Sequence, residues 1–189
     1  MGRTATFDRR VVIARARNIF WAKGYEATAV PDLEEATGLK RSSLYHAFGS
    51  KKGLFDEAID SYLNEKVRPL IAPLKGPATP SDALARYFRE LRDGVLSEDG
   101  RPGCLLVAAA NAPVGADPVV ASVIADYHAE LLEAFTAGVL AAMPGLSAPQ
   151  ARSRARVLVA LNISALALVR TNPALAAADL DEALALLND

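Results

Sequence analysis

Apolar residues recur along the chain at the three-and-four spacing of helices, and no stretch alternates as a half-buried strand does. Val12, Ile13, Ala16, Ile19 and Phe20 form one such stripe. The spacing therefore predicts a first helix from Arg9 to Lys23, capped by Asp8 and stopped by Gly24. A short second helix is expected over 29–37, with Thr28 as its cap, Pro31 in its first turn and Gly38 as its breaker. A third runs from Arg41 to Phe48 and ends at Gly49. Ser50 caps a fourth that reaches about Ile71. The Pro- and Gly-rich stretch 72–80 reads as a joint. Beyond it, helices are expected over 81–96, 104–112, 119–143, 147–170 and 174–187. Alanine, the best helix former, is about a fifth of the residues. The expected fold class is all-α with about nine helices.

Composition narrows the class. The chain has 189 residues, 51% hydrophobic and 23% charged, which is ordinary for a globular protein and too apolar for disorder. Its single cysteine, Cys104, rules out an internal disulfide framework and fits a reducing compartment such as the cytoplasm. The first ten residues lead into no apolar core, so no signal peptide is expected. The most apolar run, 157–169, is too short for a membrane span and carries Asn162 and Ser164, so no membrane partner is expected.

The net charge of −1 hides an asymmetry. Residues 1–53 hold ten Lys/Arg against five Asp/Glu, a balance of +5, which leaves −6 for the rest. A basic head on an acidic body points to a polyanionic partner at one end, although a solvated face would look the same.

The informative segment is 24–55. Two short helices flank a tight glycine turn, the arrangement of a helix-turn-helix. Val30, Leu33, Ala36, Leu39, Leu44 and Phe48 are spaced to pack both helices on the first. Lys40, Arg41, Ser43, Tyr45 and His46 then face outward, and such side chains suit phosphate oxygens and base edges. Trp21, at the stripe edge, reads as packing. His46, His128 and Cys104 lack metal-ligand spacing, and no nucleophile elbow, P-loop or GxGxxG is present, so neither metal, cofactor nor catalytic residue is expected.

The ordered set Ile13, Ala16, Phe20, Lys23-Gly24-Tyr25, Ala27-Thr28, Leu33, Ala36-Thr37-Gly38-Leu39, Ser43-Leu44-Tyr45, Phe48, Ser50-Lys51 and Leu54-Phe55 resembles the TetR/AcrR family of bacterial transcriptional regulators. The segment around Gly103-Cys104-Leu105 is similar to one found in a branch of that family. The resemblance implies a helix-turn-helix DNA-binding domain over residues 1–53, with a helix from about 51 connecting it to a ligand-binding and dimerisation domain over 54–189. It implies DNA contact by Thr28, Lys40, Arg41, Ser42, Ser43, Tyr45, His46, Lys51 and Lys52 on a double-stranded palindromic operator, and no enzymatic activity. Lys40 departs from the serine often found there, and lysine cannot accept the helix-start N–H bond.

The same resemblance implies a small-molecule effector pocket, with Tyr62, Phe88, Cys104, Leu105, Asn111, Tyr127, His128, Leu131 and Phe135 as candidate lining. It also implies a homodimer built on the last two helices. Ala151, Ala155, Leu158, Val159, Asn162, Leu166, Leu180 and Leu184 are the candidate interface, read from a small-residue apolar face that would equally complete the chain's own core. Cys104 follows a glycine at a helix start with Arg101 nearby, a setting that favours thiolate, while free cysteine is also a common core residue. A ligand-released repressor is the leading reading. The alternatives are a helical protein-interaction adaptor and a thiol-based sensor using Cys104.

Overall fold

The computed structural model describes residues 7–76, 78–97 and 103–188, and all regular structure among them is helical. Helix α1 spans Arg9–Lys23. The Asp8 carboxylate accepts the N–H groups of Arg10 and Val11 at its start, and Gly24 ends it by donating to Phe20 O. Helices α2 (Val30–Thr37) and α3 (Arg41–Phe48) follow, then α4 (Lys51–Tyr62), capped by Ser50 accepting from Gly53 N–H at 3.0 Å.

The fourth helix was expected to run unbroken to about Ile71. It instead widens into a π turn over Leu63–Val67 before a last short turn, α5 (Arg68–Ile71). Pro69 supplies the reason, because it has no N–H to return to the preceding turn.

The rest of the chain consists of α6 (Ala83–Val95), α7 (Leu105–Ala110), α8 (Pro118–Ala142), α9 (Ala148–Leu168) and α10 (Pro173–Ala185). Its start signals are local. Asp117 accepts from Val119 and Val120, Gln150 accepts from both Ser147 groups, and the Asn172 side chain accepts from Leu175. Helix α9 packs between α8 and α10, and α10 leans on α6. Phe88 and Phe135 meet edge to face at 5.3 Å in the middle, with Tyr87 against both. A second aromatic group, Phe20 with Phe55 at 5.0 Å and Tyr25 beside them, locks α1 to α4. Each such pair adds about 0.5–1.5 kcal/mol beyond burial.

Most of the candidate dimer face is covered by the chain itself. Ala151, Ala155, Leu158, Val159, Asn162 and Leu180 are buried within the single chain, holding α9 to its neighbours. Leu166 and Leu184 are half-buried against the same core. What α9 and α10 turn outward is a different set, led by Val157 (49% exposed) and Leu175 (47% exposed), with Ala160, Ala167 and Ala178. Periodicity reports that a face is buried, not by what. Among the described residues no helix is long and apolar enough to cross a membrane.

Gly103 enters α7 with φ +73, and a β-carbon there would lie 2.7 Å from Leu166 O. Gly103→Ala is therefore expected to lose about 1–3 kcal/mol in urea denaturation, and an unchanged midpoint would refute the close approach. Leu158→Asp should unfold the chain outright, read by loss of its helical signal.

Candidate functional site

The reading head is built on the turn between α2 and α3. Gly38 takes the left-handed conformation (φ 74, ψ 9) that the turn needs, and its N–H closes α2 on Glu34 O at 2.9 Å. Leu44 and Phe48 are buried, which fixes the inner face of α3. The opposite face is open: Lys40, Arg41, Ser42 and His46 are exposed, and Ser43 and Tyr45 are half-buried. The Arg41 guanidinium lies over the Tyr45 ring at 5.2 Å. All six were named from sequence, and the structure brings them together on one short helix and its entry.

Lys40 makes no side-chain cap, as its chemistry dictates. Glu34 does the work instead, accepting the Arg41 N–H at 2.7 Å from one helix back. Arg9 is a second support that the sequence did not show. It pairs with Glu57, donates to Ala47 O at 3.0 Å and sits 4.3 Å over the Phe48 ring, tying α1 to α3 and α4.

Two expected DNA contacts are engaged within the chain. Thr28 has no exposed surface, and its hydroxyl donates to Gly24 O at 2.6 Å, so it has nothing to offer a phosphate. Nor does it cap α2, where Asp32 accepts the Ala29 N–H instead. Lys52 is committed within the chain, with its ammonium 2.7 Å from Asp56 and 2.9 Å from Asp117. Burial works against its charge, but the two carboxylates outweigh it and raise its pKa. Lys51, in contrast, packs its ammonium over the Tyr25 ring at 4.4 Å near the start of α4. Burial lowers its pKa against the pull of Glu26 and Asp32.

A partly open cavity of about 420 Å³ lies between the end of α1 and the helices that follow α4. Of the nine candidate lining residues it takes in Tyr62, Cys104 and Tyr127. Asn111 and His128 border a separate recess of about 90 Å³ that Tyr127 also touches. Phe88, Leu105, Leu131 and Phe135 are corrected to plain core, each 2% exposed or less and away from both spaces. Sequence reasoning missed Tyr87, whose hydroxyl donates to Asn162 Oδ1 at 3.0 Å, and it assigned Trp21 to packing alone. Both stand in the cavity wall. Leu166, expected at a dimer face, lines it too.

Cys104 is buried at 3% exposure and lies beside Tyr62 and Tyr127. Arg101, invoked to favour its thiolate, falls outside the described residues. Burial, and then the neighbouring thiol, push the phenols of Tyr62, Tyr87 and Tyr127 far above their ordinary value, so all three stay protonated. Among the described residues no three His, Cys, Asp or Glu gather as metal ligands would.

A family profile described as bacterial regulatory proteins, tetR family, matches residues 12–58. The chain is 32% identical over 142 residues to an HTH-type transcriptional regulator of Bacillus subtilis, YezE, covering 75% of this chain and 73% of that one. It is 37% identical over 107 residues to the Escherichia coli transcriptional repressor ComR, covering 56% of this chain and 51% of ComR. Its fold superposes on the TetR-family regulator CifR, solved as a cysteine mutant on a 26-bp double-strand operator, with TM-score 0.80, 28% identity and 97% and 98% of the two chains covered.

The chain belongs to the TetR family. It is a helix-turn-helix transcriptional regulator and not an enzyme.

Removing the Glu34 cap by Glu34→Ala is expected to cost about 1 kcal/mol. Lys52→Met should cost about 0.5 kcal/mol at neutral pH and make the protein less acid-sensitive. The Lys52 hydrogen bond depresses the Asp117 pKa, so that stabilisation is present above the ordinary carboxylate range and is lost as pH falls through the folded value. Urea melts at neutral and acid pH read both, and a variant as acid-sensitive as the parent would contradict the pairing.

Proposed function

We propose that the protein is a homodimeric repressor that binds a palindromic operator and lets go when a small molecule fills the cavity. Residues 1–53 form the reading unit, α4 connects, and 54–189 form the sensing and assembly body. The observation that carries the reading is the open face of α3. Lys40, Arg41, Ser42 and His46 are exposed and Ser43 and Tyr45 half-exposed along one helix and its entry, the back of that helix is buried, and Lys51 flanks it near the next helix start. A helix presented this way lies in a major groove, with its cations on phosphates and Tyr45 and His46 toward base edges. Relatives named as repressors, and CifR bound to its operator, support the same assignment. Such a protein acts in the cytoplasm, where a bacterial operator lies.

The cavity supports the effector half of the reading. It is a largely apolar space of ligand size with a few polar groups at its wall, which is the usual build of a small-molecule site. The outward apolar face of α9 and α10, including Val157, Ala160, Leu175 and Ala178, supports the dimer.

Operator affinity, measured on a site selected from random duplexes, should fall on the order of a hundredfold or more between about 50 and 200 mM salt. Lys51→Met should reduce the salt slope by about one per protomer, while Lys52→Met leaves it unchanged. Tyr45→Ala should abolish specific binding with the helical signal intact, and a Tyr45→Ala protein that binds like the parent would remove α3 from the reading. Val157→Asp with Leu175→Asp should sediment as a folded monomer; a dimer that survives both would move the interface elsewhere.

A further inference from the structure

Trp21 belongs to two structures at once. It sits near the C-terminal end of α1, in the DNA-binding unit, and its indole forms part of the cavity wall, edge-on to Tyr62 at 5.1 Å. The indole N–H donates to Gly103 O at 2.9 Å, in the segment that enters α7. The backbone of the same turn is clasped from α9's side, where Arg170 donates to Trp21 O at 3.2 Å and to Ala22 O. Val169, next to Arg170, and Leu166, one turn earlier, line the same cavity. One wall of the cavity is therefore made of the groups that fasten the reading unit to the body.

This arrangement has a thermodynamic consequence. A ligand shifts a conformational equilibrium only as far as its contacts differ between the two states. When a wall residue belongs to the unit that moves, ligand affinity depends on where that unit sits, and by linkage the ligand biases its position.

The wall also defines what enters. Among its described residues the charged ones, Glu65 and Lys66, are solvent-exposed, and Glu65 is already bound by Arg17 and Ser61. The inner wall is aliphatic and aromatic, with neutral tyrosine hydroxyls. A charge carried inside would be desolvated without a partner. A cavity of about 150 Å³ holds one benzene ring, so about 420 Å³ has room for two rings.

We propose that the cavity admits uncharged molecules of two-ring size and that Trp21, as both cavity wall and fastening, carries their presence to the DNA-binding helices. The inference rests on the effector reading above and specifies its ligand class and its route. Trp21 is the chain's single tryptophan, so its emission, excited selectively, reports occupancy directly.

The test uses the full chain with three matched probes: biphenyl-4-methanol, biphenyl-4-carboxylate and biphenyl-4-methylamine. The alcohol should change Trp21 emission saturably, and the two ions should bind at least about tenfold more weakly by calorimetry. The alcohol should lower operator affinity of the parent by about tenfold or more. Trp21→Phe keeps a ring in the wall and removes the bond to Gly103. It should bind the alcohol more weakly but measurably by calorimetry, yet at saturating alcohol its operator affinity should shift by less than about threefold. Release of Trp21→Phe as complete as the parent's would overturn the route through Trp21 while leaving the effector reading intact. Failure of the alcohol to bind, or equal binding of an ion, would overturn the ligand class. Binding by the parent with no change in operator affinity would sink the effector reading itself, and this inference with it.

Discussion

Apart from the α1–α4 packing, a short polar seam around the C-terminal end of α1 and the start of α4 fastens the helix-turn-helix unit to the helices beyond, and the cavity is built on that seam. Arg170 reaches from the end of α9 to the last carbonyls of α1, Trp21 bonds to Gly103, Glu26 accepts the Val114 N–H at 2.8 Å, and Lys52 joins Asp117. Each bond spans a large sequence separation, and each is modest on its own. By contrast, α1 is joined to α4 by an aromatic cluster with no exposed surface on Phe20 or Phe55. Close-packed aromatics move as one body, whereas a few hydrogen bonds can be exchanged at small cost. The fold thus locks α1 to the connecting helix α4 by close packing and fastens both to the helices beyond by a few exchangeable polar bonds.

That division explains the placement of the cavity. The space lies where α1, the π turn after α4, α6, α8 and α9 converge, so its walls include residues from both sides of the seam. The π turn contributes directly, because the widened backbone at Leu63–Val67 brings Glu65, Lys66 and Val67 to the mouth. Gly103 is required on the far side by the 2.7 Å approach to Leu166 O.

Much of this was legible in the sequence. The stripe on α1, the glycine turn at Gly38 and the outward set on α3 follow from helical periodicity and turn chemistry, which are local. What was not legible depended on distant partners. Lys52 reads as a free cation until Asp117 is folded beside it, and Thr28 as a phosphate clamp until its burial is seen. The apolar face with Ala155 and Leu158 is identical in sequence whether a second protomer or α8 and α10 cover it. A cavity is harder still, since it is volume left unfilled by several elements, and nothing in the spacing of Tyr87 or Trp21 announces that they face a space.

On the proposed reading, two copies of α3 enter successive major grooves on one face of an operator. Hydroxyl-radical footprinting of a selected operator tests this directly. Two symmetric protected patches should appear with centres about 34–36 Å, one helical turn, or a multiple of that apart. A single unpaired patch, or uniform protection without a centre of symmetry, would contradict that arrangement.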